Sequence, residues 1–214
     1  MIDRRTYLAS AGTALAAATA GCGFILGNEP ATFTANASVV PDSVLDETGY
    51  EFVENEEVEV RREVSGGGQT REVVATNVQA KYEKSVDLGP LGEQRGAVFT
   101  ALTTPQAKVL GKTFNPIADM SAQELARRVQ DSYEEFSNME RQGESEVTIN
   151  GNTTTQAEFT ADAVISGNPV ELSLHVSEAV ELGSDFVVAF GSYPRVRSAE
   201  QSNILALMEA VESA

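Results

Sequence analysis

The only histidine of the chain, His175, lies in Ser173-Leu174-His175-Val176-Ser177, with a hydroxyl two residues away on either side. A serine nucleophile needs its base within about 3.2 Å, whereas same-face neighbours on a strand stand roughly 7 Å apart. The segment reads as a strand with Leu172, Leu174 and Val176 on one face and Ser173, His175 and Ser177 on the other. His175 is then expected at a surface or a sheet edge, not in a nucleophile–base pair. Gly111-Lys112-Thr113 matches the end of a phosphate-binding loop, but the glycine required five residues before Gly111 is Gln106, and Pro116 interrupts the helix that should follow. Gly66-Gly67-Gly68 joins two strand-like segments and reads as a turn. One cysteine and one histidine leave too few ligands for a transition metal. Glu51, Glu54, Glu56, Glu57 and Glu59 lack the spacing of a calcium loop and read as a solvated acidic face. No catalytic residue, metal or cofactor is therefore assigned. One binding candidate remains: Lys112, Phe114 and Asn115 in loop 111–119, with Tyr193, Arg195 and Arg197 in loop 192–197. These aromatic and basic groups could hold an anionic ligand or partner if the fold brings the two loops together.

Cys22 carries a different chemistry. Arg4-Arg5 before Thr6-Tyr7-Leu8 fits a twin-arginine export signal. The alanine-rich stretch 9–20 is shorter than the about 20 apolar residues of a spanning helix and fits a signal core. Thr19-Ala20-Gly21-Cys22 supplies small residues before a cysteine, the pattern of a lipobox. The reading that follows is cleavage before Cys22 and lipid on its thiol, two chains being enough for stable anchoring. Residues 1–21 are the signal peptide, residues 22–30 the lipidated cysteine and tether, and residues 31–214 a single domain on the extracytoplasmic face of the cell membrane. Asn36-Ala37-Ser38 and Asn152-Thr153-Thr154 are candidate N-glycosylation sequons.

The elements that position these groups follow from periodicity. Residues 32–40 read as a strand, and 43–48 as a short helix that Gly49 ends. Residues 50–64 and 70–86 form a long hairpin in which Val74, Thr76, Val78, Ala80 and Tyr82 alternate. A strand at 96–104 precedes a helix that Ser121 and Glu124 cap reciprocally, with Leu125, Val129, Tyr133 and Phe136 as its apolar stripe. Residues 146–149 and 155–165 pair across Asn150-Gly151. Strands at 170–180 and 185–192 follow, and then a terminal helix at 198–212 with a Ser198–Gln201 cap. Phe186-Val187-Val188-Ala189-Phe190 is apolar on both faces and belongs at the centre of a sheet. The expected class is α+β: a mostly antiparallel sheet of about six or seven strands, covered by helices on both faces.

The twin-arginine start, the lipobox, the stretch from Lys108 to Ser121 with Asn115-Pro116 before a capped helix, and the closing strand and helix resemble a family of uncharacterised haloarchaeal lipoproteins. The element order of the last hundred or so residues resembles the PsbP-like sandwich of photosystem accessory proteins. The first resemblance carries no catalytic residues, and the second implies a fold alone. The functional expectation is a lipid-anchored, non-enzymatic binding or interaction module whose protein or small-ligand partner is unknown. The alternatives are an extracytoplasmic hydrolase and an accessory subunit of a membrane complex.

Formal charge is −17, with 32 acidic side chains against 15 basic ones. That balance repels nucleic acid and anionic membrane surfaces and makes the compact state repel itself in dilute buffer. At about 1 M salt the screening length falls to roughly 3 Å. An acid-rich chain with four lysines (Lys81, Lys84, Lys108, Lys112) thus reads as adapted to brine. Lowering salt from about 1 M to about 0.1 M, where screening reaches roughly 10 Å, is expected to lower the melting temperature. A melt that ignores salt would remove the brine argument.

Overall fold

The structure, a computed structural model, describes residues 30–214 except 67–68, 110–111, 116 and 133–135. Arg4, Arg5, Cys22 and most of the tether lie outside the described residues.

Strands dominate. The first part of the chain gives β1 (Ala31–Thr34), β2 (Ser38–Val39), helix α1 (Asp42–Thr48), the long hairpin β3 (Glu51–Gly66) and β4 (Gln69–Asp87), and β5 (Glu93–Pro105). A small ribbon, β6 (Ala107–Val109) and β7 (Lys112–Phe114), leads to α2 (Ala122–Ser132). Then come β8 (Ser137–Ile149), β9 (Asn152–Ile165), β10 (Asn168–Ser177), β11 (Val180–Leu182), β12 (Asp185–Pro194), α3 (Glu200–Glu209) and β13 (Glu212–Ser213). The main sheet has nine strands, ordered β3-β4-β5-β12-β10-β9-β8, with β1 also on β4 and β11 on β12. Its pairs are antiparallel except β1 with β4, so the sheet is mixed.

This differs from the expected six or seven strands and from a balanced α+β class. The main miss is residues 137–145. They form the first two-thirds of β8, an edge strand whose side chains are mostly solvated. Register shifts between Ser137 and Glu140 and between Arg141 and Gly143 further blur the two-residue alternation that betrays a strand. The expected strand 32–40 is split into β1 and β2, and the short β11 carries too few residues for a pattern.

Local signals succeed where they close within one turn. Ser121 Oγ accepts from the Glu124 N–H at 3.3 Å, while Glu124 Oε2 accepts from the Ser121 N–H at 3.0 Å, so the capping box forms. Gly49 ends α1 with φ of 74°, where a side chain would be strained. The Ser198–Gln201 cap does not form. Helix α3 starts later, at Glu200, and its N-cap Ala199 offers no side-chain bond.

Strand β12 is central, paired with β5 on one side and β10 on the other. Val187, Ala189 and Tyr193 join Tyr82, Phe99 and Ala101 in a core with Ile204, Leu207 and Met208 of α3. Val188, with Phe190 packed alongside, joins Phe159, Leu174 and Val176 in a second core with Leu125 and Ala126 of α2. At Gly191 the strand and α3 come so close that a Cβ would lie 2.4 Å from Ile204 Cδ1. Asp185, buried at the start of β12, accepts from the backbone and side-chain N–H groups of Asn36 at 2.8 and 2.9 Å. That pair ties the segment after β1 to the central strand.

Gly191→Ala should destabilise the protein by about 1–3 kcal/mol, the usual cost of overpacking. Combined with Ile204→Ala it should cost less than the two single changes together. Strict additivity in denaturant unfolding would mean that the approach of α3 is not what reserves position 191 for glycine.

Candidate functional site

His175 is not at a surface or an edge. It lies on β10, second from the centre, opposite Gly191 of β12, and is 0% exposed. The period-2 reading placed it on the correct face. It could not reveal that α3 covers that face, because the cover lies more than twenty residues away in sequence. Both ring nitrogens are engaged: Nδ1 is 3.1 Å from Gln156 Oε1 and Nε2 is 3.1 Å from Tyr193 Oη. An amide oxygen can only accept, so Nδ1 carries the proton and Nε2 accepts from the tyrosine hydroxyl. Gln156 Nε2 continues the chain to Ser145 Oγ at 2.8 Å. The His175 and Tyr193 rings stack at 5.7 Å. Burial drives the imidazole pKa down from 6.5 to about 4, and burial likewise raises the Tyr193 phenol. The result is a neutral, satisfied polar chain inside the sheet–helix layer, with no serine nucleophile among the hydrogen-bond partners of the imidazole.

A second polar group fastens α3 to the sheet. Lys84 Nζ of β4 lies 2.7 Å from Glu200 Oε1, and Asn203 Nδ2 donates to Glu200 Oε2 at 2.9 Å. The lysine ammonium sits 5.7 Å from the centroid of the Tyr50 ring. Burial, and then the charge of Glu200, push the Tyr50 phenol far up. These contacts are structural.

The two candidate loops do not meet. Asn115 lies near the Pro105 end of β5, donating to Thr104 Oγ1 at 3.3 Å and to the Pro105 carbonyl at 3.2 Å, while its own oxygen accepts from the Ile117 N–H at 3.0 Å. Pro105 pairs with Asp185 at the start of β12. Tyr193, Arg195 and Arg197 follow from the other end of that strand, roughly 30 Å away for an extended run of nine residues. Tyr193 is a buried strand residue. Arg195 pairs with Glu171 at 2.6 Å, and Arg197 with Asp87 at 3.3 Å. Lys112 and Phe114 belong to β7, and their side chains are outside the described set. Of the sequons, Asn36 is held by Asp185, whereas Asn152 sits exposed at the β8–β9 turn. The glutamates of β3 spread along a sheet edge, where Glu54 and Glu56 face Lys81 and Glu59 faces Arg61.

What the Asn115 turn does border is an open cleft of about 90 Å³ between the β3–β4 hairpin, the end of β5 and α2. Val73, Ala75, Ala107 and Ile117 make it apolar, and the exposed Arg62 and Arg128 stand on its lining. Neither arginine carries a local signal: one is in a hairpin, the other on the polar face of a helix 66 residues later. Folding alone makes them neighbours of one surface feature.

Residues 37–212 match the family described as a domain of unknown function, DUF6517. Among curated proteins, none matches the chain. Among solved structures, the chain is similar to the solution structure of cyanobacterial PsbP (CyanoP) from Synechocystis sp. PCC 6803. The TM-score is 0.39 and the identity 12%, over 85% of this chain and 94% of that one.

His175 gives a clean pH experiment. As pH falls, the unfolded chain takes up the imidazole proton before the folded one does. The His175 contribution to stability is therefore whole above about pH 6.5 and is lost progressively between 6.5 and about 4. The loss approaches about 3 kcal/mol, at 1.36 kcal/mol per pKa unit. His175→Gln should flatten the fall of melting temperature over that window relative to wild type, since every carboxylate is common to both. Parallel profiles would contradict a buried neutral imidazole.

Proposed function

The chain belongs to the DUF6517 family, and we propose that it is a non-enzymatic binding module, exported by the twin-arginine route and held at the outer face of the membrane by lipid on Cys22. The observation that carries the binding part is the state of His175. The one side chain whose ordinary pKa lies near neutrality is fully buried, neutral and committed at both nitrogens. A hydrolase of the serine–histidine type needs a base open to substrate. The cleft beside Asn115, by contrast, offers apolar walls and two guanidinium groups, which suit holding over reacting.

The address rests on the sequence: Arg4-Arg5, the short apolar stretch after them and the small residues before a lone Cys22. The acidic balance supports brine as the medium. We also read α2 and α3 as covers for opposite faces of the sheet, because Val188 packs with the first and Val187 with the second, and successive strand residues point to opposite sides. That reading supports the helix–sheet–helix sandwich expected from the apolar run 186–190.

Cys22→Ser should move the protein from washed membranes into the medium, measured by fractionation and immunoblotting at constant salt. Retention of the variant on membranes after washing would refute the anchor.

A further inference from the structure

We propose that the cleft bordered by Arg62 and Arg128 binds an anionic membrane lipid in place. The guanidinium groups would take its phosphate, and the apolar wall of Ala75, Ala107 and Ile117 would take the first part of its hydrocarbon chain. This deepens the binding-module reading and rests on its membrane location.

Three observations converge. First, the lining pairs opposite chemistries: an apolar floor, including the buried Val73 and Ala107, with two arginines at its margin, on a protein whose formal charge is −17. Guanidinium forks bind phosphate oxygens two at a time and tolerate partial dehydration better than lysine does. Second, the chain leads there. Ala31 of β1 pairs with Val73, a cleft residue, and Cys22 lies nine residues before Ala31. A tether of that length reaches about 30 Å at most, so a protein held by Cys22 carries its cleft close to the lipid surface. Third, the size suits a partial ligand. About 90 Å³ is well below the roughly 300–1,000 Å³ of a pocket that engulfs a small molecule. The cleft therefore fits a lipid left in its bilayer and touched edge-on.

The net charge argues the other way, because an acidic domain is repelled by an anionic surface. In about 1 M salt, however, charges beyond roughly 3 Å are screened, so the long-range repulsion is lost, while the shorter guanidinium–phosphate contact is weakened and keeps its hydrogen bonds. Brine removes the repulsion and leaves the local contact.

The test uses the full chain with Cys22→Ser, so that no lipid anchor contributes, floated with phosphatidylglycerol or phosphatidylcholine vesicles in about 1 M salt. Residues 9–20 add the same apolar background to every arm, so the difference between the two lipids is what is read. The expected result is about tenfold stronger binding to phosphatidylglycerol. That preference should be lost in Arg62→Gln/Arg128→Gln whose circular dichroism spectrum is that of the folded protein, and weakened by Ala75→Leu, which narrows the cleft. Equal binding to both lipids, or a preference indifferent to the two arginines, would overturn the proposal. Excess inorganic phosphate should compete for the guanidinium groups and weaken the preference, and a preference indifferent to phosphate would overturn the phosphate contact. If instead replacing Phe24, Ile25 and Leu26 with serine abolishes the preference while the arginine variant keeps it, the tether makes the contact and the cleft reading fails. Release of Cys22→Ser from cells decides the anchor separately, since the vesicle experiment never uses it.

Discussion

Strand β12 has to lose water on both faces at once, and the remaining layers are arranged around that requirement. A strand with valine, alanine and phenylalanine on both sides cannot be an edge, nor can it rest on solvent. It takes β5 and β10 as hydrogen-bonding neighbours, puts Val187 and Ala189 against α3, and leaves Val188 for the core that α2 shares. The tightest point is Gly191, where the absent side chain lets Ile204 rest almost on the backbone. Because α3 sits this close, the neighbouring polar residues on the same face have no access to water. His175, Gln156 and Tyr193 must satisfy one another, and they do.

The periphery obeys a different constraint. Both outer strands of the sheet, β3 and β8, are rich in glutamate and largely solvated. Unpaired strand edges invite pairing with other chains, and charge on them discourages it. The carboxylates therefore guard the sheet edges. Lys81 and Arg61 pair with a few of them, contacts worth little individually at an exposed surface. The partly buried Lys84–Glu200 pair is of another kind. It crosses from β4 to the first turn of α3, where a carboxylate also favours the helix dipole.

Function follows from what these two constraints leave open. The interior holds the one imidazole as a neutral structural group, and the flanks are acidic and paired at a few positions. The cleft between the hairpin and α2 is apolar within, and Arg62 and Arg128 contribute to its lining. The expectation of a basic and aromatic anion site was placed on two loops. One of them, through the Asn115 turn and Ile117, does border the cleft. Arg195 and Arg197 pair with Glu171 and Asp87 at the far end of β12. The basic groups of the cleft come from Arg62 and Arg128.

By itself the sequence determined whatever closes over a few residues. It set the capping box of Ser121 and Glu124, the helix stop at Gly49, the hairpin across Asn150-Gly151, and the central place of a strand apolar on both sides. These depend on backbone geometry and period, which neighbouring residues fix between them. Tertiary structure alone decided that the polar face of β10 is sealed, that a run of charged residues is strand β8, and that two arginines 66 positions apart border one cleft. The physical reason is common to all three. Burial depends on which distant element lies on a face, and periodicity tells two faces apart without saying what covers either of them.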